Sequence, residues 1–172
     1  MKKCSFLFLA FVLPAVLFAQ DDKTPKRPEN MGVSDFDTFK NNSFDILDES
    51  AKLKTDATRL DTDVKSYAAG LASVSVEKLK ADFKAFRGIG KSTNELTGRI
   101  EDLREQSKAL LESAKSLKPM TKSPQATGNT NKSVKGLDAS KKNLDTVATL
   151  VTDNTKLLSE ELKRRGESVE EE

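Results

Sequence analysis

The chain has 172 residues, of which 33% are charged and 36% hydrophobic, and it contains neither tryptophan nor histidine. This composition argues against a compact enzyme fold, and it favours a single domain of long solvated helices, or partial disorder. The formal net charge is +2. Without the two lysines that follow Met1 the charges balance, so we expect no nucleic-acid partner.

Residues 1–19 have the features of a bacterial signal peptide. Two lysines are followed by a mainly apolar stretch over residues 5–18, and Ala19 supplies the small residue expected at a cleavage site. The apolar stretch is shorter than the roughly 20 residues that span a bilayer, which argues against a retained anchor. We therefore predict cleavage after Ala19 and a periplasmic or secreted mature protein. Its single cysteine, Cys4, would be lost with the signal, and we expect no membrane contact afterwards.

The first predicted helix, over about residues 35–70, follows a segment predicted to be a flexible tether. The tether, residues 20–34, combines prolines with mixed charges, and Met31 is its only large apolar side chain. The helix carries a seven-residue repeat, with Phe36, Ser43, Ser50, Ala57, Val64 and Leu71 in one set of positions and Phe39, Ile46, Leu53, Leu60, Tyr67 and Val74 in the other. Such a repeat predicts a helix that packs lengthwise against other helices. We term these repeat positions the seam of the first helix, and its serines and alanine should contribute little apolar burial.

The second predicted helix, over about residues 75–118, contains a predicted break near residues 88–91. Ser75 is its expected N-cap. Two glycines within three residues each cost roughly 1 kcal/mol in a helix interior, and Ser92 with Glu95 forms a capping box that can start a new helix. The break would give four helices instead of three, although a bent continuous helix is also compatible with the pattern.

The third predicted helix, over about residues 134–165, follows a polar loop that begins at Pro119. Leucine and valine recur in it every seven residues, and Gly166 can end it. Residues 167–172 are predicted to be a solvated acidic tail. We therefore expect an all-α fold, in which residues 35–166 form an elongated antiparallel bundle of three helices, or four, with coiled-coil-like packing.

The glycine-rich stretch also matches the end of a phosphate-binding P-loop, at Gly90-Lys91-Ser92. The complete P-loop motif requires a glycine five residues before Gly90, where this chain has Ala85, and a β-strand leading into the loop. Neither requirement is met. We interpret the stretch as a helix break and expect no nucleotide.

Phe44 is the candidate for contact with a partner, because it lies off the seam that the first helix presents to its neighbours. Tyr67 occupies a seam position, which predicts a packed ring with its hydroxyl at the edge. The mature chain has no histidine or cysteine, which removes the commonest zinc ligands and nucleophile–base pairs. Its adjacent carboxylates alternate with lysine and arginine, as on a solvated helix face. We expect no catalytic, cofactor-binding or metal-binding residues.

These expectations favour an exported, non-enzymatic structural or adaptor component of the bacterial cell envelope. Polar residues on the packing faces favour contact with a partner protein, or self-association, because either can supply the missing burial. The alternative is a periplasmic holdase-like chaperone or binding module for apolar clients. A third hypothesis, association with a membrane surface, fits less well, since membrane-surface helices have strongly basic polar faces and these are mixed in charge.

Overall fold

Three long helices account for most of residues 24–169, the part of the chain that the computed structural model describes. The helices are α1 (Ser34–Ala68), α2 (Val76–Lys115) and α3 (Ser123–Arg164), and a single 3₁₀ turn lies in each connection, at Leu71–Ser73 and Met120–Lys122. No strand occurs within the described residues. The prediction of an all-α fold is confirmed. The predicted signal peptide and the last three residues of the predicted acidic tail lie outside the described residues.

Helices α1 and α3 run in the same direction, and α2 runs opposite to both. The amide of Asn143 donates to the Ser50 hydroxyl at 3.3 Å, and that of Asn154 donates to Asp61 Oδ1 at 2.9 Å. Both pairs have the same separation in sequence, as parallel helices require. α3 packs extensively along α1 and α2, whereas α1 and α2 contact each other less.

The apolar core is divided into two clusters along the helices. The larger contains Met31, Phe36, Phe39, Ile46, Leu96, Ile100, Leu103, Leu110, Ala114, Ala126, Leu137 and Leu144, and the smaller contains Val64, Leu79, Phe86, Leu158 and Leu162. Small or polar residues lie between the clusters, including the buried Ala57, Thr93 and Asn154. The predicted seam of α1 is therefore buried, and it contributes less apolar surface to the core where its side chains are small.

The buried serines of α1 bond to the backbone of their own helix. The hydroxyl of Ser43 donates to the carbonyl oxygen of Phe39 at 2.8 Å, and that of Ser50 donates to the carbonyl oxygen of Leu47 at 2.9 Å. Because these bonds satisfy the hydroxyls as donors within α1, both serines can be fully buried, and Ser50 also accepts the hydrogen bond from Asn143 of α3.

The predicted break near residues 88–91, and with it the fourth helix, is wrong, because α2 is continuous from Val76 to Lys115. Phe86 and Leu96 are buried on either side of the glycines, and an unbroken helix keeps both on the core face. A Cβ atom on Gly90 would lie 3.2 Å from Val151 Cγ1, so the glycine permits close approach of α3. Packing outweighs the low helix propensity of glycine here.

The start of the third helix was also predicted wrongly, since α3 begins at Ser123 and not near residue 134. Its first turns bury Ala126, Thr130 and Ser133, which recur at helical spacing. The hydroxyl of Thr130 donates to the carbonyl oxygen of Ala126, at 2.9 Å. The small polar residues of this segment are typical of a loop in the sequence, yet they can be buried in a helix once their hydroxyls are satisfied within it.

The described part of the predicted tether, residues 24–33, packs against the helices. Met31 is 7% exposed and belongs to the larger cluster. The backbone N–H groups of Met31, Gly32 and Val33 donate to the Asp37 carboxylate at 2.8, 2.8 and 3.2 Å. Gly32 adopts a φ of 73°, which glycine tolerates better than other residues do. This turn fixes the start of α1, so the segment is not a free tether over these residues.

Candidate functional site

Phe44, the residue predicted to contact a partner, is 2% exposed. Its ring lies against α3 at Gly136, where an added Cβ atom would be 3.9 Å from the ring. The Arg27 guanidinium lies 5.8 Å from the ring centroid and bridges Asp45 and Asp48 at 2.7 and 3.0 Å. A role for Phe44 in partner binding stays a prediction, and it would require the segment that carries Arg27 to move.

Tyr67 takes part in a polar cluster that joins the end of α1 to the start of α2. Its hydroxyl donates to Asp82 Oδ2, and Lys78 Nζ donates to both Asp82 oxygens at 2.7 Å. Burial raises the pKa of Tyr67, and the hydrogen bond to the Asp82 carboxylate raises that pKa further. Tyr67 is therefore a protonated donor at neutral pH. With both acceptor oxygens of Asp82 engaged, the cluster is suited to holding two helices together.

A second polar cluster joins the end of α3 to the connection between α1 and α2. The Arg165 guanidinium donates to the carbonyl oxygens of Leu71 and Val74, and its Nε donates to Glu161 Oε1 at 2.7 Å. Arg164 also donates to the Glu161 carboxylate. Hydrogen bonds from Arg164 and then Arg165 lower the pKa of Glu161 to about 2. The charged groups of this cluster, too, bond to one another or to backbone carbonyl oxygens.

A groove of about 1220 Å³ lies between α2 and α3, and we term it the α2–α3 groove. It is lined by Phe83, Lys84, Arg87, Gly88, Gly90, Lys91 and Asn94 of α2, by Val151, Thr152, Thr155, Lys156, Ser159 and Lys163 of α3, and by Val169. The two glycines of the wrongly predicted break contribute to one wall. A Cβ atom on Gly88 would meet nothing within 4 Å, so this part of the wall is open.

The α2–α3 groove is lined by five cationic side chains and by no carboxylate. Lys84, Arg87 and Lys91 project from α2, and Lys156 and Lys163 project from α3. The four lysines make no ion pair within residues 24–169, while the Arg87 guanidinium lies 6.0 Å from the centroid of the Phe83 ring. Like charges lining one depression create a positive potential that attracts anions.

Sequence reasoning missed the groove, although the spacing of its cations gives a signal. On α2 the second and third cations follow Lys84 by three and seven residues, and on α3 Lys163 follows Lys156 by seven. Each set therefore shares a helix face. The net charge of the chain does not indicate the cluster, because acidic residues elsewhere balance these cations. Only the packing of α2 against α3 brings the two sets together.

The end of the groove is occupied by the start of the predicted acidic tail. Glu167 Oε2 accepts a hydrogen bond from Lys80 Nζ at 2.7 Å, and Val169 packs against the smaller apolar cluster. Gly166, with a φ of 78°, ends α3, and the N–H of Glu167 donates back to the carbonyl oxygen of Leu162 at 3.0 Å. This turn directs residues 167–169 toward the groove.

No family model, curated protein or solved structure matches the chain. None of the helices in residues 24–169 is long and apolar enough to cross a bilayer. Over the same residues, no three His, Cys, Asp or Glu side chains gather in a way that could hold a metal ion.

Proposed function

We propose that this chain is an exported, non-enzymatic structural or adaptor protein of the bacterial cell envelope, which acts through contacts with another protein. The observation that carries the proposal is the α2–α3 groove, where five cations gather without a carboxylate in the lining. Export rests on the features of residues 1–19. We further propose that the three helices form an elongated antiparallel bundle with coiled-coil-like packing.

A binding role has more support than a catalytic one. Every buried side-chain nitrogen or oxygen within the described residues has a hydrogen-bond partner. The Asp82 carboxylate joins α2 to Tyr67 of α1. The Glu161 carboxylate holds Arg164 and Arg165, so both carboxylates are engaged and neither is a poised acid or base. The four lysines of the groove, in contrast, are exposed and can engage a ligand: Lys84, Lys91, Lys156 and Lys163.

Binding of apolar clients, as by a holdase, has less support. A holdase needs a contiguous apolar surface, and Met120, at 78% exposed, is the only exposed large hydrophobic side chain within residues 24–169. The same observation favours a polar contact with a different protein over self-association through an apolar helix face.

Chemical cross-linking in intact cells, followed by purification of the tagged full chain from the envelope fraction, tests the proposal. We expect the protein in that fraction, cross-linked reproducibly to a specific envelope protein. Light scattering of the purified protein should be done in parallel, because it separates self-association from partner binding. A monomer without a cross-linked partner, or a protein confined to the cytoplasm, would contradict the proposal.

A further inference from the structure

We propose that the α2–α3 groove binds an extended acidic peptide segment of a partner protein, in which an aliphatic residue lies between carboxylates. This inference rests on the proposed function, since it specifies the partner chemistry of the same groove. Three observations carry it: the arrangement of the cations, the apolar surface between them, and the chain's own segment at one end.

The cations form two rows whose spacing suits an extended chain. Lys84 and Lys91 on α2 are seven residues apart, as are Lys156 and Lys163 on α3, and each separation corresponds to about 10 Å along a helix. An extended peptide advances about 3.3 Å per residue, so carboxylates roughly three residues apart would match each row. Because cations line both walls, such a peptide would meet positive charge on either side.

The apolar surface within the groove argues for a peptide that carries an aliphatic side chain. Phe83, Val151 and Val169 line the groove, are partly buried, and pack against the smaller core cluster. Gly88, where an added Cβ atom would meet nothing within 4 Å, leaves part of the α2 wall without a side chain, which lets a peptide backbone approach the helix. A polyanion without apolar groups would use the cations but leave this surface uncovered.

The chain itself supplies an example of the proposed ligand. Residues 167–169, Glu-Ser-Val, are neither helix nor strand. In this segment Glu167 pairs with Lys80 while Val169 packs on the apolar cluster at the groove's end. An acidic residue and an aliphatic residue two positions apart thus already use one α2 cation, Lys80, which lies outside the groove lining, and one apolar contact within it. We infer that a partner segment of the same character continues along the groove.

Fluorescence anisotropy with a labelled probe peptide, Gly-Glu-Glu-Val-Glu-Glu-Gly, tests the inference on the full chain. A triple variant, Lys84→Glu with Lys91→Glu and Lys156→Glu, removes the positive groove. Its matched control, Lys52→Glu with Lys108→Glu and Lys135→Glu, makes the same charge change at exposed lysines outside the groove lining. Circular dichroism and thermal melts should show that both variants fold like the parent.

We expect the parent to bind the probe, with affinity reduced at least about tenfold in the groove variant and less than about twofold in the control. A probe with glutamine in place of glutamate should not bind, and one with serine in place of valine should bind several-fold more weakly. Failure of the parent to bind, or equal loss in both variants, overturns the inference. Equal binding of the serine probe also overturns it, because the groove would then be a general polyanion surface.

The two proposals can fail separately. If the probe does not bind but a specific envelope protein is still cross-linked to the chain, the peptide inference is wrong and the proposed function stands. If the probe binds as described but the protein has no envelope partner, the groove chemistry stands and the proposed function is wrong.

Discussion

Replacing Gly88 with alanine should stabilise the protein, because the residue lies inside α2 and an added Cβ atom would meet nothing within 4 Å. Alanine is favoured over glycine in helix interiors by about 0.5–1 kcal/mol, since glycine loses more conformational freedom on folding. We expect Gly88→Ala to raise the free energy of unfolding by this amount. For a chain of this size the melting temperature should rise by about 1–4 °C.

The neighbouring Gly90 provides a matched comparison in the same helix. Gly90→Ala gains the same helix propensity, but the new Cβ atom would lie 3.2 Å from Val151 Cγ1, closer than ordinary van der Waals contact. The strain of separating α2 from α3 should offset the gain, leaving Gly90→Ala less stable than Gly88→Ala by about 1 kcal/mol. Gly98→Ala, also in α2 with no neighbour within 4 Å, should match Gly88→Ala.

Guanidinium unfolding followed by circular dichroism at 222 nm measures these differences, provided that the m-value is unchanged among the variants. The sequence alone suggested a break at residues 88–91, and the structure has a continuous helix, so the two descriptions predict different results. If Gly98→Ala stabilises the protein while Gly88→Ala is neutral or destabilising, α2 is interrupted in solution and the reasoning above is wrong.

Three further substitutions test buried contacts. Phe44→Ala should lower the free energy of unfolding by about 3 kcal/mol, as for other buried phenylalanines; a loss below about 1 kcal/mol in urea unfolding would mean that the ring lies on the surface. Asn154→Ala should cost about 1–2 kcal/mol in the same assay, because the buried Asp61 carboxylate loses a hydrogen bond, and no change would contradict that bond. Glu161→Gln should be less stable than the parent at pH 6. Two arginines lower the Glu161 pKa from 4.5 to about 2, so its stabilising effect is complete above about pH 4.5 and lost as the pH falls toward 2. Melting curves of the parent and Glu161→Gln should therefore converge near pH 2, and a constant difference across this range would refute the assignment.

The pKa of the Asp61 carboxyl group depends on contacts within α1 and between α1 and α3. Desolvation alone would raise the pKa of its carboxyl group, but hydrogen bonds from Asn154 and Lys65, with the charge of Lys65, bring the pKa below its usual value. The sequence shows Lys65 four residues away on the same helix face. It cannot show Asn154, which comes from another helix.

The heptad pattern was a reliable guide to α1 because large apolar residues recur there at regular spacing. Phe39 and Ile46 are both fully buried, as the repeat predicts. The predictions of the break in α2 and of the start of α3 failed because packing, and not intrinsic helix propensity, stabilises the helix there. The glycines of α2 and the small polar residues of the first turns of α3 have low helix propensity, and their neighbours in space determine the outcome.

The sequence by itself determined the class of fold, since 3.6-residue periodicity in a chain with few large apolar residues leaves long helices as the way to bury them. It also determined the thin middle of the seam, which follows from the small side chains of α1. Only the tertiary structure decided that α2 is unbroken and that α3 starts early, because both depend on contacts between distant segments. The same holds for the α2–α3 groove. Its cations lie on two different helices, α2 and α3, which run in opposite directions, and only packing brings them into one site.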